Sequence, residues 1–206
     1  MITTLYVVRH GESEGNVQGD IFGADPPLTS RGVQQARDLS LIFDQITLHH
    51  VYASRLKRAH KTAQIIADKK SLPVSLHDGL RERHFGSLEG KTGAYGKEHY
   101  GNSYEKFNTV SAIEQMNWKF VPDMESFGET LTRVLKAFDE ITHAREGETL
   151  LLASHANVML SLLAHLQFAT FNEMPQGTIQ NTAYIKIEKN NDTYSITETL
   201  GITKSD

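Results

Sequence analysis

Two short apolar runs, one at the start of the chain and one around residue 150, each leading to a histidine, constrain this sequence more than any other feature. Leu5-Tyr6-Val7-Val8 leads into Arg9-His10-Gly11-Glu12-Ser13-Glu14-Gly15-Asn16, and Thr149-Leu150-Leu151-Leu152-Ala153 leads into Ser154-His155. Apolar, β-favouring runs bounded by polar, glycine-punctuated stretches read as buried strands that end in turns. In an open α/β sheet, ligands bind at the carboxyl ends of the strands, where loops and helix N-termini converge. Parallel pairing of the two strands would put His10 and His155 on one rim. Arg9 offers a fixed fork of donors to phosphate or carboxylate, and a neutral His10 imidazole can act as a nucleophile.

Between these strands the chain alternates helical and extended patterns. Asp25-Pro26-Pro27-Leu28 is extended by its prolines, and Thr29 or Ser30 caps a helix to about Phe43 with Val33, Ala36 and Leu39 on one face. Val51-Tyr52-Ala53 is a short strand, after which Ser54 is expected to cap a helix through about Asp68. Pro73-Val74-Ser75-Leu76 starts a third short strand, and residues 80–86 have no period and read as a loop. Residues 91–125 are the least regular stretch, with room for a helix; Leu131, Val134, Leu135, Phe138 and Ile141 mark a helix through about Ala144. A further helix over 156–167 follows His155 at once, and residues 182–188 and 193–199 alternate across Asn190-Asn191-Asp192 as a hairpin. This order predicts a single domain over residues 1–206, a three-layer α/β/α sandwich with a mostly parallel central sheet.

Composition excludes several classes. With 206 residues, 39% hydrophobic and 22% charged, the chain suits a globular domain with its own core. A formal net charge of −4 argues against nucleic-acid binding by bulk charge, so an anionic substrate would have to meet locally placed cations. The absence of cysteine removes disulfides, thiolate metal sites and a cysteine nucleophile. No apolar run reads as a membrane span, and the start lacks the basic and apolar regions of a signal peptide, so a cytoplasmic protein is the expectation.

Four places carry the chemistry: Arg9-His10, Arg58, Glu82 and His155. Taken singly, each has an ordinary explanation. A lone arginine on a helix is usually surface charge, a histidine before a helix is usually a cap, and Glu82 between Arg81 and Arg83 resembles a loop ion pair of little weight. Together, two arginines and a histidine around a second histidine can neutralise a phosphate dianion and its transition state. Backbone N–H groups at Ala156, opening the helix after His155, would add donors at its positive end. Gly11-Glu12-Ser13-Glu14-Gly15 also matches the G-x-S-x-G elbow of serine hydrolases. That reading fails on context, because only ten residues precede Gly11 and two glutamates would oppose an oxyanion. A His/Glu metal site lacks a compact ligand motif, and the flanking arginines would repel a cation.

At these residues the chain resembles the histidine phosphatase superfamily, which includes phosphoglycerate mutases and many phosphomonoesterases. Arg9-His10-Gly11-Glu12-Ser13 with Asn16 is similar to the family's start, and Pro27-Leu28-Thr29, Gly32 and Gln35-Ala36 to its second block. Ser54-Arg55-Leu56-Lys57-Arg58-Ala59 with Thr62-Ala63 resembles the third block, and Leu80-Arg81-Glu82 with Phe85-Gly86 and Glu89-Gly90 the one that holds the acid. Gly147-Glu148-Thr149 and Ser154-His155 resemble the last. The resemblance implies that His10 is phosphorylated, that Arg9, Arg58, His155 and Asn16 bind phosphate, and that Glu82 donates a proton to the leaving oxygen. It implies no metal and no cofactor. Ala156 departs from the glycine usual after the histidine, and its methyl group narrows the approach to a phosphate.

The expected activity is hydrolysis of small phosphorylated metabolites, with residues 91–125 as a lid whose aromatic and lysine side chains set preference. Mutases of this type carry adjacent arginines before the helix that here begins near Ser126, and a threonine–glycine pair where this chain has Phe22-Gly23-Ala24. Here no adjacent arginine pair precedes that helix, only Lys106 and Lys119 among aromatics, although the run Arg83-His84-Phe85-Gly86 is mutase-like. Phosphoglycerate mutase and a catalytically silent phospho-ligand-binding protein are the alternatives; the intact His10 and Glu82 count against the second. No partner beyond a small phosphorylated substrate is implied, neither nucleic acid nor membrane, and no pattern in the sequence sets an oligomeric state.

Overall fold

The computed structural model describes residues 1–19 and 25–205. Six strands form one sheet in the order β3-β2-β4-β1-β5-β6. They are β1 (Ile2–Arg9), β2 (His50–Ala53), β3 (Val74–Leu76), β4 (Thr149–Ser154), β5 (Ile179–Asn190) and β6 (Thr193–Ile202). β1 to β4 pair in parallel, and β5 and β6 add an antiparallel edge. Alternation along the central strands divides the core in two. Leu5, Val7, Leu150 and Leu152 face α6 (Phe127–Ala144) and α7 (Ala156–His165). Tyr6, Val8, Leu151 and Ala153 face α2 (Ser30–Ile42) and α3 (Lys57–Lys70). The expected three-layer α/β/α sandwich with a mostly parallel sheet is therefore observed.

Neighbouring strands β1 and β4 send their chains to opposite faces, β1 onward to α2 and β4 directly to α7. This is the topological switch point at which open α/β sheets form a crevice. The register is in step, with Val8 opposite Ala153 and Arg9 opposite Ser154. His10 and His155 consequently leave adjacent strands at the same level.

Several local expectations are corrected. The stretch read as a turn after His10 contains a short helix, α1 (Glu14–Gln18), capped by Ser13 with Asn16 reaching back. Asparagine fills the third position of that capping box, where the usual sequence signature has Glu or Gln. α3 begins at Lys57 with Leu56 as its N-cap, so Ser54 does not cap it; the Ser54 hydroxyl accepts from Leu56 N–H in the turn before (3.3 Å). The Lys57 N–H is instead capped from a distance, by Asp25 Oδ1 at 2.8 Å. The loop at 80–86 is flanked by two 3₁₀ turns, Asp78–Leu80 and Gly86–Leu88. Residues 91–125 hold α4 (Gly93–Phe107), kinked at Tyr100, and α5 (Ala112–Asn117). They pack through Tyr95, Tyr100, Phe120, Val121 and Met124 onto Phe85 and Leu88. The C-terminal hairpin is longer than its alternation, because β5 starts at Ile179 and contains a bulge before Tyr184. No helix of the described residues is long and apolar enough to cross a membrane.

Candidate active site

β1 ends at Arg9, and the chain must then turn sharply under α2. Gly11 and Gly32 permit it: a Cβ on Gly11 would lie 2.4 Å from Gly32 O, and one on Gly32 would lie 2.0 Å from Glu12 O. Two motif side chains buttress the loop. Thr62 Oγ1 accepts from Gly11 N–H (3.1 Å) and donates to Arg58 O (2.8 Å), while Gln35 Oε1 accepts from Glu12 N–H (2.8 Å).

The structure gathers His10, Arg58 and His155 into one buried cluster, with Arg9 and Glu82 close enough to act on its charges. His10 is 2% exposed, Arg58 1%, His155 0% and Glu82 7%. The imidazole rings of His10 and His155 meet edge to face at 5.2 Å. Arg58 Nε–H donates to His10 Nε2 at 3.1 Å, so Nδ1 carries the ring proton and donates to Gly11 O at 2.7 Å. Arg58 lies in the first turn of α3, nearer the rim than a helix starting at Ser54 would place it, and its Nη1 is 3.8 Å from Asp25 Oδ1.

The electrostatics follow from burial and from the concentration of positive charge. Burial, then the Arg58 and Arg9 guanidiniums, push the His10 imidazole well below its ordinary 6.5, with only the Gly11 carbonyl working the other way. His155 is pushed down in the same sense by burial, then Arg58, His10 and Arg9. Burial also lowers Arg9 and Arg58, partly offset by the Glu82 carboxylate. Both ring nitrogens of His155 and Nε of Arg9 are buried without a hydrogen-bond partner among the described residues, while Arg9 Nη1 donates to Ile179 O.

Glu82 projects from the loop between the two 3₁₀ turns, and its Oε1 accepts from Arg83 N–H at 2.9 Å. That loop is tied to the rim of β4 by Ser154 Oγ, which donates to Leu80 O at 2.8 Å. Asn16 commits its Oδ1 to Ser13 N–H (3.0 Å), to Ser13 Oγ–H (3.1 Å) and to Asn181 Nδ2 (3.3 Å). Ala156 opens α7, with His155 in extended conformation as its N-cap and making no side-chain cap bond. Ser13 is a fully buried helix cap, hydrogen-bonded to Asn16 rather than to a base, so it is no nucleophile elbow. Among the described residues no three His, Cys, Asp or Glu side chains are grouped as metal ligands. Phe22-Gly23-Ala24 lies outside the described residues.

Four residues at the site had no sequence signal. Asn181 Nδ2 donates to His10 O (3.1 Å) from the bulge in β5, where Thr182 holds a left-handed φ of 60°. A β-branched residue in that region is strained, and such strain collects at functional sites. Asp25, Glu125 and Arg133 reach the site's supports from extended chain, loop and helix, where each has the spacing of an ordinary surface charge.

The chain matches the model of the histidine phosphatase superfamily (branch 1) over residues 5–199, and it belongs to that superfamily. It is 33% identical to the 2,3-bisphosphoglycerate-dependent phosphoglycerate mutase of Corynebacterium diphtheriae over 188 residues, covering 79% of this chain and 76% of the mutase. It is 29% identical to the adenosylcobalamin/alpha-ribazole phosphatase of Escherichia coli over 168 residues, covering 79% and 78%. Among solved structures, the Bacillus stearothermophilus protein YhfR superposes with a TM-score of 0.81 at 29% identity, over 94% of this chain and 95% of that one. The superfamily is catalytic, and its members similar to this chain include both phosphatases and mutases.

Proposed function

We propose that the protein is a metal-independent phosphomonoester hydrolase that works through phosphohistidine at His10 on small phosphorylated metabolites. The observation that carries this is the state of His10: buried, neutral, its Nδ1 proton engaged by Gly11 O and its Nε2 lone pair turned toward Arg58. A phosphate dianion entering this cluster draws the Arg58 guanidinium onto its oxygens, which frees the lone pair. Nε2 then attacks phosphorus in line as the bond to the leaving oxygen breaks. Arg9, Arg58, His155, the Asn16 amide and the N–H groups from Ala156 stabilise the equatorial oxygens. Glu82 supplies the proton to the leaving oxygen. In the second step a water loses a proton to Glu82 and attacks the phosphorus, the N–P bond breaks, and phosphate departs with His10 neutral again.

Hydrolysis is favoured over mutase transfer by the disposition of Lys106, Lys119 and Arg83, in and beside the lid. Lys119 is paired with Glu129 at 2.8 Å, Lys106 sits 5.7 Å over the Trp118 ring, and the Arg83 guanidinium donates to Glu125 O and Trp118 O. None of these is disposed as an adjacent pair for a second phosphate. The lid reading is supported by its span, since Gly93 N–H donates to Gly19 O at one end and Glu125 meets His84 at the other. The names of several relatives favour a mutase, so the test separates the two. A rapid quench with radiolabelled phosphomonoester should give a label on His10 that acid destroys and alkali preserves. Inorganic phosphate should be released on every turnover, and excess EDTA should not slow it. Transfer of the label to a second phosphoglycerate without phosphate release would establish the mutase instead; an acid-stable label would remove His10 as the acceptor.

A further inference from the structure

The acid loop carries Glu82 but does not hold itself in place. Arg133, partly buried on α6, spends all five of its N–H donors on it and on Glu125. Nη1 donates to Gly79 O (2.8 Å) and Arg81 O (3.0 Å); Nη2 donates to Glu125 Oε2 (2.9 Å) and points at Glu82 O (3.5 Å). Nε donates to Glu125 Oε1 at 3.0 Å, completing a two-pronged ion pair. Glu125 grips the other side of the loop, accepting His84 N–H on Oε2 (3.0 Å) and joining His84 O through its own N–H (2.9 Å). Burial alone would raise the Glu125 carboxyl, but Arg133, the His84 N–H and Arg81 together hold it below its ordinary value. Gly79, Arg81, Glu82 and His84 are thus tied to one largely buried pair rooted in the sandwich.

We infer that Arg133 and Glu125 are positioning residues: their ion pair sets the Glu82 carboxyl against the leaving oxygen while touching neither phosphate nor His10. This rests on Glu82 being the acid. A looser clamp lets the loop drift, and a shift of about 1 Å in a catalytic group can cost up to about a hundredfold in rate. The loss falls on reactions that need the proton, those with strongly basic alkoxide leaving groups, and spares those with a weakly basic nitrophenolate.

The test uses Arg133→Lys, which keeps the charge but cannot reproduce a planar fork of five donors. Its kcat/KM for an alkyl phosphate should fall roughly tenfold to a hundredfold. The pre-steady-state burst with p-nitrophenyl phosphate and inhibition by vanadate should each change by less than about twofold, within the variation ascribed to a site otherwise intact. Added to Glu82→Gln, Arg133→Lys should cause no further leaving-group-selective loss, because the proton it positions is already gone. Glu125→Gln, the second variant, should reproduce the selective loss even if Arg133→Lys does not fold. Equal losses with both substrates, no loss, or a full effect surviving in the Glu82→Gln background would each overturn the inference. If Glu82→Gln alone shows no preference for leaving group, the acid assignment itself falls and takes the clamp with it. If Glu82→Gln is selective and both clamp variants are not, only the clamp fails.

Discussion

In the proposed mechanism His10 meets two demands that conflict in water: it must be neutral to attack, yet it must lie where a dianion would bind. The same cations meet both. Arg58 and Arg9 would attract the phosphate in that mechanism and, by their charge, disfavour the imidazolium form of His10. Replacing Arg58 with Met keeps the bulk of this fully buried side chain and removes its charge and its bond to Nε2. The kcat/KM should fall by about two orders of magnitude or more, the scale for one lost transition-state donor. The imidazole should also titrate higher, because a cation that lowers it has gone. A nucleophile that works only when neutral then loses activity at a higher pH, so the acid limb of the kcat/KM profile should move upward. Nitrogen-resolved NMR titration of His10 checks the direction; an unmoved or lowered titration would contradict this account.

At the scale of elements, the loop after β1 works because two backbones pass closer than any side chain permits. Gly32 lies in the first turn of α2, with its N–H accepted by Thr29 Oγ1 at 3.0 Å, and helix propensity alone favours alanine there by about 1 kcal/mol. The added Cβ would sit 2.0 Å from Glu12 O, and that contact should win. Gly32→Ala should lose roughly 1–3 kcal/mol by urea midpoint, the range for overpacking, together with activity, since the loop that moves carries His10. Gly101→Ala in α4 is the control. Its Cβ meets nothing within 4 Å, so it should be neutral or gain up to about 1 kcal/mol. Matching losses at both glycines would show that close approach is not the reason.

For the whole molecule, two histidines buried neutral make acid a denaturant. Both have native values pushed well below the 6.5 expected of the unfolded chain, by burial first and then by neighbouring cations. As pH falls through 6.5 the unfolded state takes up protons that the native site refuses, so this part of the stability declines until the native values are reached. Each histidine adds a slope of up to about 1.4 kcal/mol per pH unit in that window. His155→Gln should remove about one proton's share of the slope between pH 6.5 and 5, measured by urea unfolding in phosphate-free buffer. A slope unchanged by the substitution would mean that His155 is protonated in the native protein.

Much of the site was legible in the sequence because strands of one parallel sheet share a rim. The apolar runs ending at His10 and His155 fix their strands, and a parallel register puts both rings at the same level without further information. Arg58 was legible through its distance from the end of β2, although the helix start was misplaced because the cap comes from Asp25, far back in the chain. Thr62 and Gln35 were legible as motif residues, but other supporting residues were not. Arg133 and Glu125 are eight residues apart along the chain and read as ordinary charges; only the packing of α6 against the acid loop turns them into a clamp. Asn181 depends on a register shift in β5, where the five steps from Ile179 to Tyr184 run opposite two of β6, and pairing between strands sets that shift. Periodicity and strand ends are local properties, so the sequence alone determined the layers, the rim and the cluster of cations around a histidine. Which side chain steadies which loop depends on contacts between distant segments, and those the tertiary structure alone decided.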